Sequence, residues 1–180
     1  MLRGELAGLR AREDDDIAIL DAELHDDVLT RVRADSRPWR PVPPGSAASE
    51  YRVTGDRDDI ARFSVVELES GELAGEAMLW GIDLHNRTAH IGLSLLPAFR
   101  GRGLGTDVVR VLCRYGFAIL GLHRLQIDTL AGNDAMIAVA ARAGFAAEGT
   151  LRGSEWVDGE FLDEVILGQL APEWERSGQE

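Results

Sequence analysis

The chain contains no lysine, because all 19 of its basic residues are arginine. That excludes a lysine base or Schiff base and the Walker A loop, whose lysine reaches the terminal phosphates. A single cysteine, Cys113, excludes an internal disulfide. The histidines, His25, His85, His90 and His123, lack metal-ligand spacing, so no metal site is expected. No apolar run approaches the roughly 20 residues that cross a bilayer. The opening residues, with Arg3, Glu5, Arg10 and Arg12, lack the form of a secretory or mitochondrial leader. A soluble, cytoplasmic chain with no membrane partner is expected. Positive charge is outnumbered, 19 arginines against 31 acidic residues, for a net charge of −12. A surface of that sign repels nucleic acid and draws in a cationic acceptor such as an amine.

What is present begins with length. The 180 residues are enough for one domain, 1–180, with a substantial core. Glu5 to Arg12 reads as a first strand. Asp14, Asp15 and Asp16 open a helical region whose apolar positions Ile17, Leu20, Leu24 and Val28 recur at helical spacing to about Ala34. Four of the six prolines fall between Arg37 and Gly45, which demands a loop. Weak helical character follows between Ala47 and Ile60. Strands are predicted at Phe63–Leu68, Leu73–Ile82 and Ala89–Leu96, with turns at Ser70-Gly71 and His85-Asn86. Val108, Val111, Leu112, Tyr115 and Ile119 mark one face of a helix ending near Gly121, and Cys113 falls inside it as a core side chain. Leu122–Leu130 reads as a strand, Asn133 caps a helix closed by Gly144, and Asp158-Gly159 joins two final strands, Ala146–Val157 and Glu160–Leu170. A short polar tail follows Trp174.

The segment Phe99-Arg100-Gly101-Arg102-Gly103-Leu104-Gly105-Thr106 lies where an apolar strand gives way to a helix. Glycines at 101, 103 and 105 let backbone N–H groups approach an anion, and the helix N-terminus adds partial positive charge. Arg100 and Arg102 add charged donors. The dinucleotide fingerprint is excluded, since the third glycine falls one place early and Thr106 takes its slot.

Read from Arg100 as Arg-x-x-Gly-x-Gly, the loop resembles the coenzyme A pyrophosphate loop of the GNAT acetyltransferase superfamily. Ala89-His90-Ile91-Gly92, Pro97, Leu122-His123-Arg124, Asn133, Gly144-Phe145, Glu148-Gly149, Arg152, Asp158-Gly159 and Asp163 are similar in order and spacing to its ribosomal-protein-alanine N-acetyltransferase-like branch, which also contains acetylators of small amines. The resemblance implies an α/β (α+β) fold with a mixed, mostly antiparallel sheet of about seven strands, splayed in the middle and flanked by about four helices. It implies acetyl-CoA as donor, with the pantetheine arm on backbone groups from Ser94 through Leu95 to Leu96. The pyrophosphate is then held by backbone amides from Arg102 through Gly103, Leu104 and Gly105 to Thr106, and Asn133 also contacts the cofactor. A homodimer is common in the family.

Acetyl transfer needs a neutral amine at the thioester carbonyl, a donor to the developing oxyanion and a proton for the thiolate. A backbone N–H near Leu95 or Leu96 suits the oxyanion. His90 is the first candidate for base, standing where many relatives carry Glu and titrating in the useful range. Asp128 and Glu76 are backups. The tyrosine that many relatives place seven residues after the capping Asn is Ala140 here, and the serine of some is Met136. Ser94, Tyr115 or solvent are left as acid. The implied activity is N-acetylation of a primary amine, a peptide or protein N-terminal α-amine ahead of a small molecule because its pKa is lower. The alternative is a non-catalytic acyl-CoA-binding module.

Overall fold

The structure is a computed structural model that describes residues 1–34, 37–43, 45–52 and 57–176. Its strands are β1 (Leu2–Arg3), β2 (Ala7–Arg10), β3 (Ile60–Glu67), β4 (Leu73–Asp83), β5 (Thr88–Leu95), β6 (Arg124–Leu130), β7 (Ala146–Val157) and β8 (Glu160–Leu170). The helices are α1 (Asp14–Leu20), α2 (Val28–Ala34), α3 (Leu104–Arg114), α4 (Asp134–Arg142) and α5 (Ala171–Arg176). All eight strands form one sheet, ordered β1-β2-β3-β4-β5-β6-β8-β7. Only the β5–β6 pair is parallel.

Strand alternation sorts the side chains between two faces. Phe63 of β3 meets Tyr115, which continues α3, with ring centroids 5.3 Å apart. Its neighbour Ser64 donates to Asp16 of α1 at 2.7 Å. Hence α3 and α1 lie on opposite faces. The α3 side carries the main core, where Val108, Val109, Leu112 and Cys113 pack over Leu79, Leu125 and Ile127, all essentially inaccessible. Cys113 is inert there, its thiol pushed up by burial.

Several local expectations are revised. The first strand is two short strands, because the Asp107 carboxylate in the first turn of α3 accepts from the amides of Glu5, Leu6 and Ala7 at 2.8–3.0 Å and folds the chain into a turn. The sheet therefore has eight strands where about seven were predicted. The first helix breaks after a π-helical turn at Asp21–His25, because Asp27 starts a new one by accepting from Thr30 N at 3.2 Å and Thr30 Oγ1 at 2.6 Å. A last helix, α5, for which no helix was predicted, precedes the tail and buries Trp174 against Phe117. Between Ala47 and Ile60 the described residues form turns, and 53–56 lie outside the described residues, as do Pro44 of the proline loop and 177–180 of the tail.

The acidic triplet does open a helix. Asp16 accepts from Glu13 N at 2.9 Å and takes both terminal nitrogens of Arg10, at 2.6 and 2.7 Å. Burial raises its carboxyl, but the Arg10, Glu13 and Ser64 hydrogen bonds outweigh that and hold it down at about 2. A carboxyl depressed from 3.8 to about 2 stabilises the fold above its unfolded value and loses that contribution as pH falls through about 2. Asp16→Asn is therefore expected to lower stability by about 2 kcal/mol at pH 7. In urea melts across pH the difference from wild type closes as pH approaches 2.

Candidate active site

β5 and β6 pair only at Thr88↔Arg124, Ala89↔Leu125 and His90↔Gln126. Beyond His90 they separate, although β5 runs on to Leu95 and β6 to Leu130. The result is a wedge with one backbone edge of β5 off the ladder. Leu96 N donates to Ala74 O at 2.9 Å, toward β4. Strand alternation turns the Leu95 N–H and C=O the other way, into the wedge. The Leu95 carbonyl accepts from Arg100 Nε at 2.9 Å, in keeping with that direction. Of the two amides considered for the oxyanion, Leu96 is thus already committed to the sheet, and Leu95 faces the gap.

The wedge opens onto the glycine loop. After a turn at Pro97–Phe99, Gly101 and Gly103 take φ of 75° and 85°, the left-handed region that favours glycine. Gly103 caps α3 with no side-chain hydrogen bond of its own. The amides of Leu104, Gly105 and Thr106 therefore head the helix without intrahelical acceptors. A Cβ at Gly101 would meet nothing within 4 Å, so the loop surface is open. Gly105 also meets a packing demand that its spacing does not reveal. A Cβ there would lie 3.2 Å from Val139 and 3.7 Å from Leu93, so this glycine lets α3 pack on α4 and β5. The arginines are also partly redirected. Arg102 donates to Glu67 at 3.1 Å and lies over the Phe99 ring, leaving the anion cradle chiefly to backbone.

These features fit coenzyme A: an uncapped helix N-terminus for the pyrophosphate and an off-ladder strand edge for the amide-bearing arm. Ser94 belongs to the same strand, but its side chain points to the α1 face opposite Glu76. Asn133 has both ends of its amide engaged: Oδ1 accepts from Met136 N at 3.2 Å and Nδ2 donates to Thr129 at 2.9 Å, tying β6 to α4.

The structure brings His90 and Asp128 together and leaves Glu76 and Ser94 apart from them. His90 Nδ1 lies 2.6 Å from Asp128 Oδ2 at the fork of the wedge, and its ring stacks on Trp80 with centroids 4.3 Å apart. Burial raises Asp128, yet hydrogen bonds from His90 and Gln126, with the His90 and Arg124 charges, bring it below the ordinary value. Glu76 is the buried partner of Arg12 at 3.0 Å. Burial pushes its carboxyl up despite that partner. Ser94 is four positions from His90 along β5, roughly 13 Å by strand rise. Tyr115 stands on the opposite face, edge-on to Phe63.

Trp80, Gln126 and Arg124 are neighbours of the pair that sequence reasoning did not single out for the site. Their one signal was strand periodicity, since 124, 126 and 128 alternate onto a single face of β6. Glu164 of β8 also feels this region: burial raises its carboxyl, aided by the charges of Asp128 and Glu155 and opposed by His90. The Leu130↔Glu164 register puts Glu164 on the face of the sheet that carries Asp128, so two carboxylates share the His90 side. Among the described residues no group of three His, Cys, Asp or Glu could hold a metal, and no helix is long and apolar enough to cross a membrane.

Comparisons with known proteins agree with this geometry. The family model described as an acetyltransferase (GNAT) domain matches residues 8–146. A putative ribosomal N-acetyltransferase of Bacillus subtilis, YdaF, is 35% identical over 136 residues, 72% of this chain and 74% of that protein. The spermidine N(1)-acetyltransferase of Escherichia coli K12 is 30% identical over 110 residues, 61% of this chain and 59% of that protein. In three dimensions the fold matches a Vibrio cholerae spermidine N-acetyltransferase in complex with CoA and spermine, with TM-score 0.77 and 18% identity, covering 94% of this chain and 98% of that one.

Proposed function

The chain belongs to the GNAT acetyltransferase family and is an enzyme that uses acetyl-CoA, and from that premise we propose that it acetylates a primary amine on a small acceptor with more than one positive charge, using His90 as base. Its being an enzyme sets aside the alternative of a non-catalytic acyl-CoA-binding module. Acetyl-CoA supplies the activated acetyl thioester. The observation that carries the proposal is the His90–Asp128 pair at the fork of the wedge.

With Nδ1 donating to Asp128, Nε2 keeps its lone pair and takes a proton from the acceptor ammonium. Asp128 then stabilises the imidazolium that forms. The Leu95 N–H, off the ladder, donates to the carbonyl oxygen as it gains charge. No side chain stands out as acid, and solvent returns the proton to the thiolate. We assign the pyrophosphate to the amides from Arg102 to Thr106, the pantetheine arm to the β5 edge, and a cofactor contact to Asn133. One sheet running from Leu2 to Leu170 supports a single domain.

Asp128 and Glu164 on the His90 side of the sheet, on a chain of net charge −12, support a polycationic acceptor. Spermidine, on which the E. coli relative is named to act, has that chemistry. A protein N-terminal α-amine is the second reading, favoured by the higher identity to the putative ribosomal enzyme. Free-thiol release from acetyl-CoA with pooled polyamines and, separately, pooled N-terminal peptides decides between them. The expected outcome is a kcat/KM for the best polyamine at least about tenfold above the best peptide, a difference of about 1.4 kcal/mol. The reverse order would establish the α-amine.

A further inference from the structure

We propose that Gln126 is a positioning residue that holds the Asp128 carboxylate in the orientation by which Asp128 fixes which nitrogen of His90 carries the proton. The inference rests on His90 being the base. Arg124, Gln126 and Asp128 stand at two-residue spacing on one face of β6 and form a chain of directed hydrogen bonds. Arg124 has only donors, so its Nη2 contact at 3.0 Å requires the carbonyl oxygen of Gln126 to face it. The amide NH2 must then face the other way, where it donates to Asp128 Oδ1 at 2.7 Å. That bond occupies one carboxylate oxygen and presents Oδ2 to His90 Nδ1 at 2.6 Å. A neutral imidazole facing a carboxylate this way carries its hydrogen on Nδ1 and leaves Nε2 bare.

The far end of the chain is itself held. Arg124 Nη1 donates to Glu148 Oε1 at 2.8 Å, and a second Arg124 nitrogen pairs with Glu148 Oε2. On its other side the His90 ring lies against Trp80 at an interplanar angle of 26°. The ring is thus fixed by one hydrogen bond and one stack. The charged groups that act on the pair are Arg124 on the strand of Asp128 and Glu164 on β8, with Glu155 on β7 acting on Glu164.

The test compares wild type, Gln126→Leu, Gln126→Glu and His90→Ala by two readouts. Long-range 1H–15N spectra of labelled protein report the His90 tautomer without any acceptor, and pH profiles of kcat/KM use the acceptor found by the polyamine and peptide assay. Gln126→Leu is expected to mix the tautomers and lower kcat about tenfold, with the KM for acetyl-CoA within about twofold of wild type. Gln126→Glu sets a second carboxylate beside Asp128, and its negative charge favours the imidazolium. The acidic limb of the profile is expected to move up by roughly half a pH unit or more. A residue with only a structural role would lower stability without moving either the tautomer or the limb. If Gln126→Leu fails to fold, the limb of Gln126→Glu decides. An unchanged tautomer and limb in both variants, with His90→Ala inactive, would overturn the inference alone. Full activity of His90→Ala would overturn the base assignment and the inference with it.

Discussion

His90→Ala is expected to lower kcat by about a hundredfold to a thousandfold at neutral pH, the range in which a positioned general base contributes, while the KM for acetyl-CoA stays within about twofold. The split follows from geometry. His90 stands at the fork of β5 and β6, whereas the proposed cofactor cradle lies beyond Leu95 at the start of α3. Removing the imidazole takes away the proton acceptor and leaves the cradle intact. The pH profile carries a second signature. With His90 as the proposed base, wild-type kcat/KM is expected to fall on the acid side, and that limb is expected to be absent in His90→Ala. Asp128→Asn is the companion variant. An amide in place of the carboxylate weakens support for the imidazolium and can offer its own N–H to Nδ1, which favours the wrong tautomer. Steady-state thiol release across pH makes the measurement, and a His90→Ala enzyme with wild-type kcat would reject the base.

Gly103→Val is expected to weaken acetyl-CoA binding by about a hundredfold. Two terms add. Its φ of 85° costs a β-branched residue about 1–2 kcal/mol, and distortion of the loop removes a charge-assisted hydrogen bond to phosphate, about 1.5–3 kcal/mol. Together they come to about 2.5–5 kcal/mol, and the lower end of that range is about two decades in Kd. Calorimetric titration with coenzyme A reads this directly. Gly121→Ala is the control, because Gly121 also has positive φ, at 67°, and a Cβ there meets nothing within 4 Å. It carries comparable backbone strain away from the loop, so its coenzyme A affinity is expected to remain that of wild type. Equal losses in both would mean that general destabilisation, not the cradle, is being measured.

Much of the architecture was legible because it rests on local chemistry. The Asp158-Gly159 hairpin takes φ of 46° and 92°, values that an Asp-Gly pair tolerates and most pairs do not. Asn133 caps α4 as its position before Met136 and Val139 predicts. The β3–β4–β5 meander follows from alternation broken at glycine and asparagine turns. The misses share a cause: each depended on a partner distant in sequence. The N-terminal strand splits because Asp107, about a hundred residues away, captures its amides. That Gly105 must also lack a Cβ for packing shows only once Val139 of α4 is seen above it. Glu76 resembles a base until Arg12 is found beside it in the interior.

The sequence by itself determined the family and the cofactor class and pointed to the loop proposed to address it, since a glycine-rich helix entry with its arginine is a contiguous pattern whose chemistry lies in local backbone freedom. It also singled out His90 and Asp128 as titratable residues on neighbouring strands. Only the tertiary structure decided that these two form a pair, that Glu76 and Ser94 stand apart from them, and that Leu95 faces the wedge while Leu96 faces the sheet. Those outcomes depend on strand register and on where β5 parts from β6. Register is set by side-chain packing across the whole sheet, to which strands from β1 to β8 contribute, and no short stretch of chain encodes it.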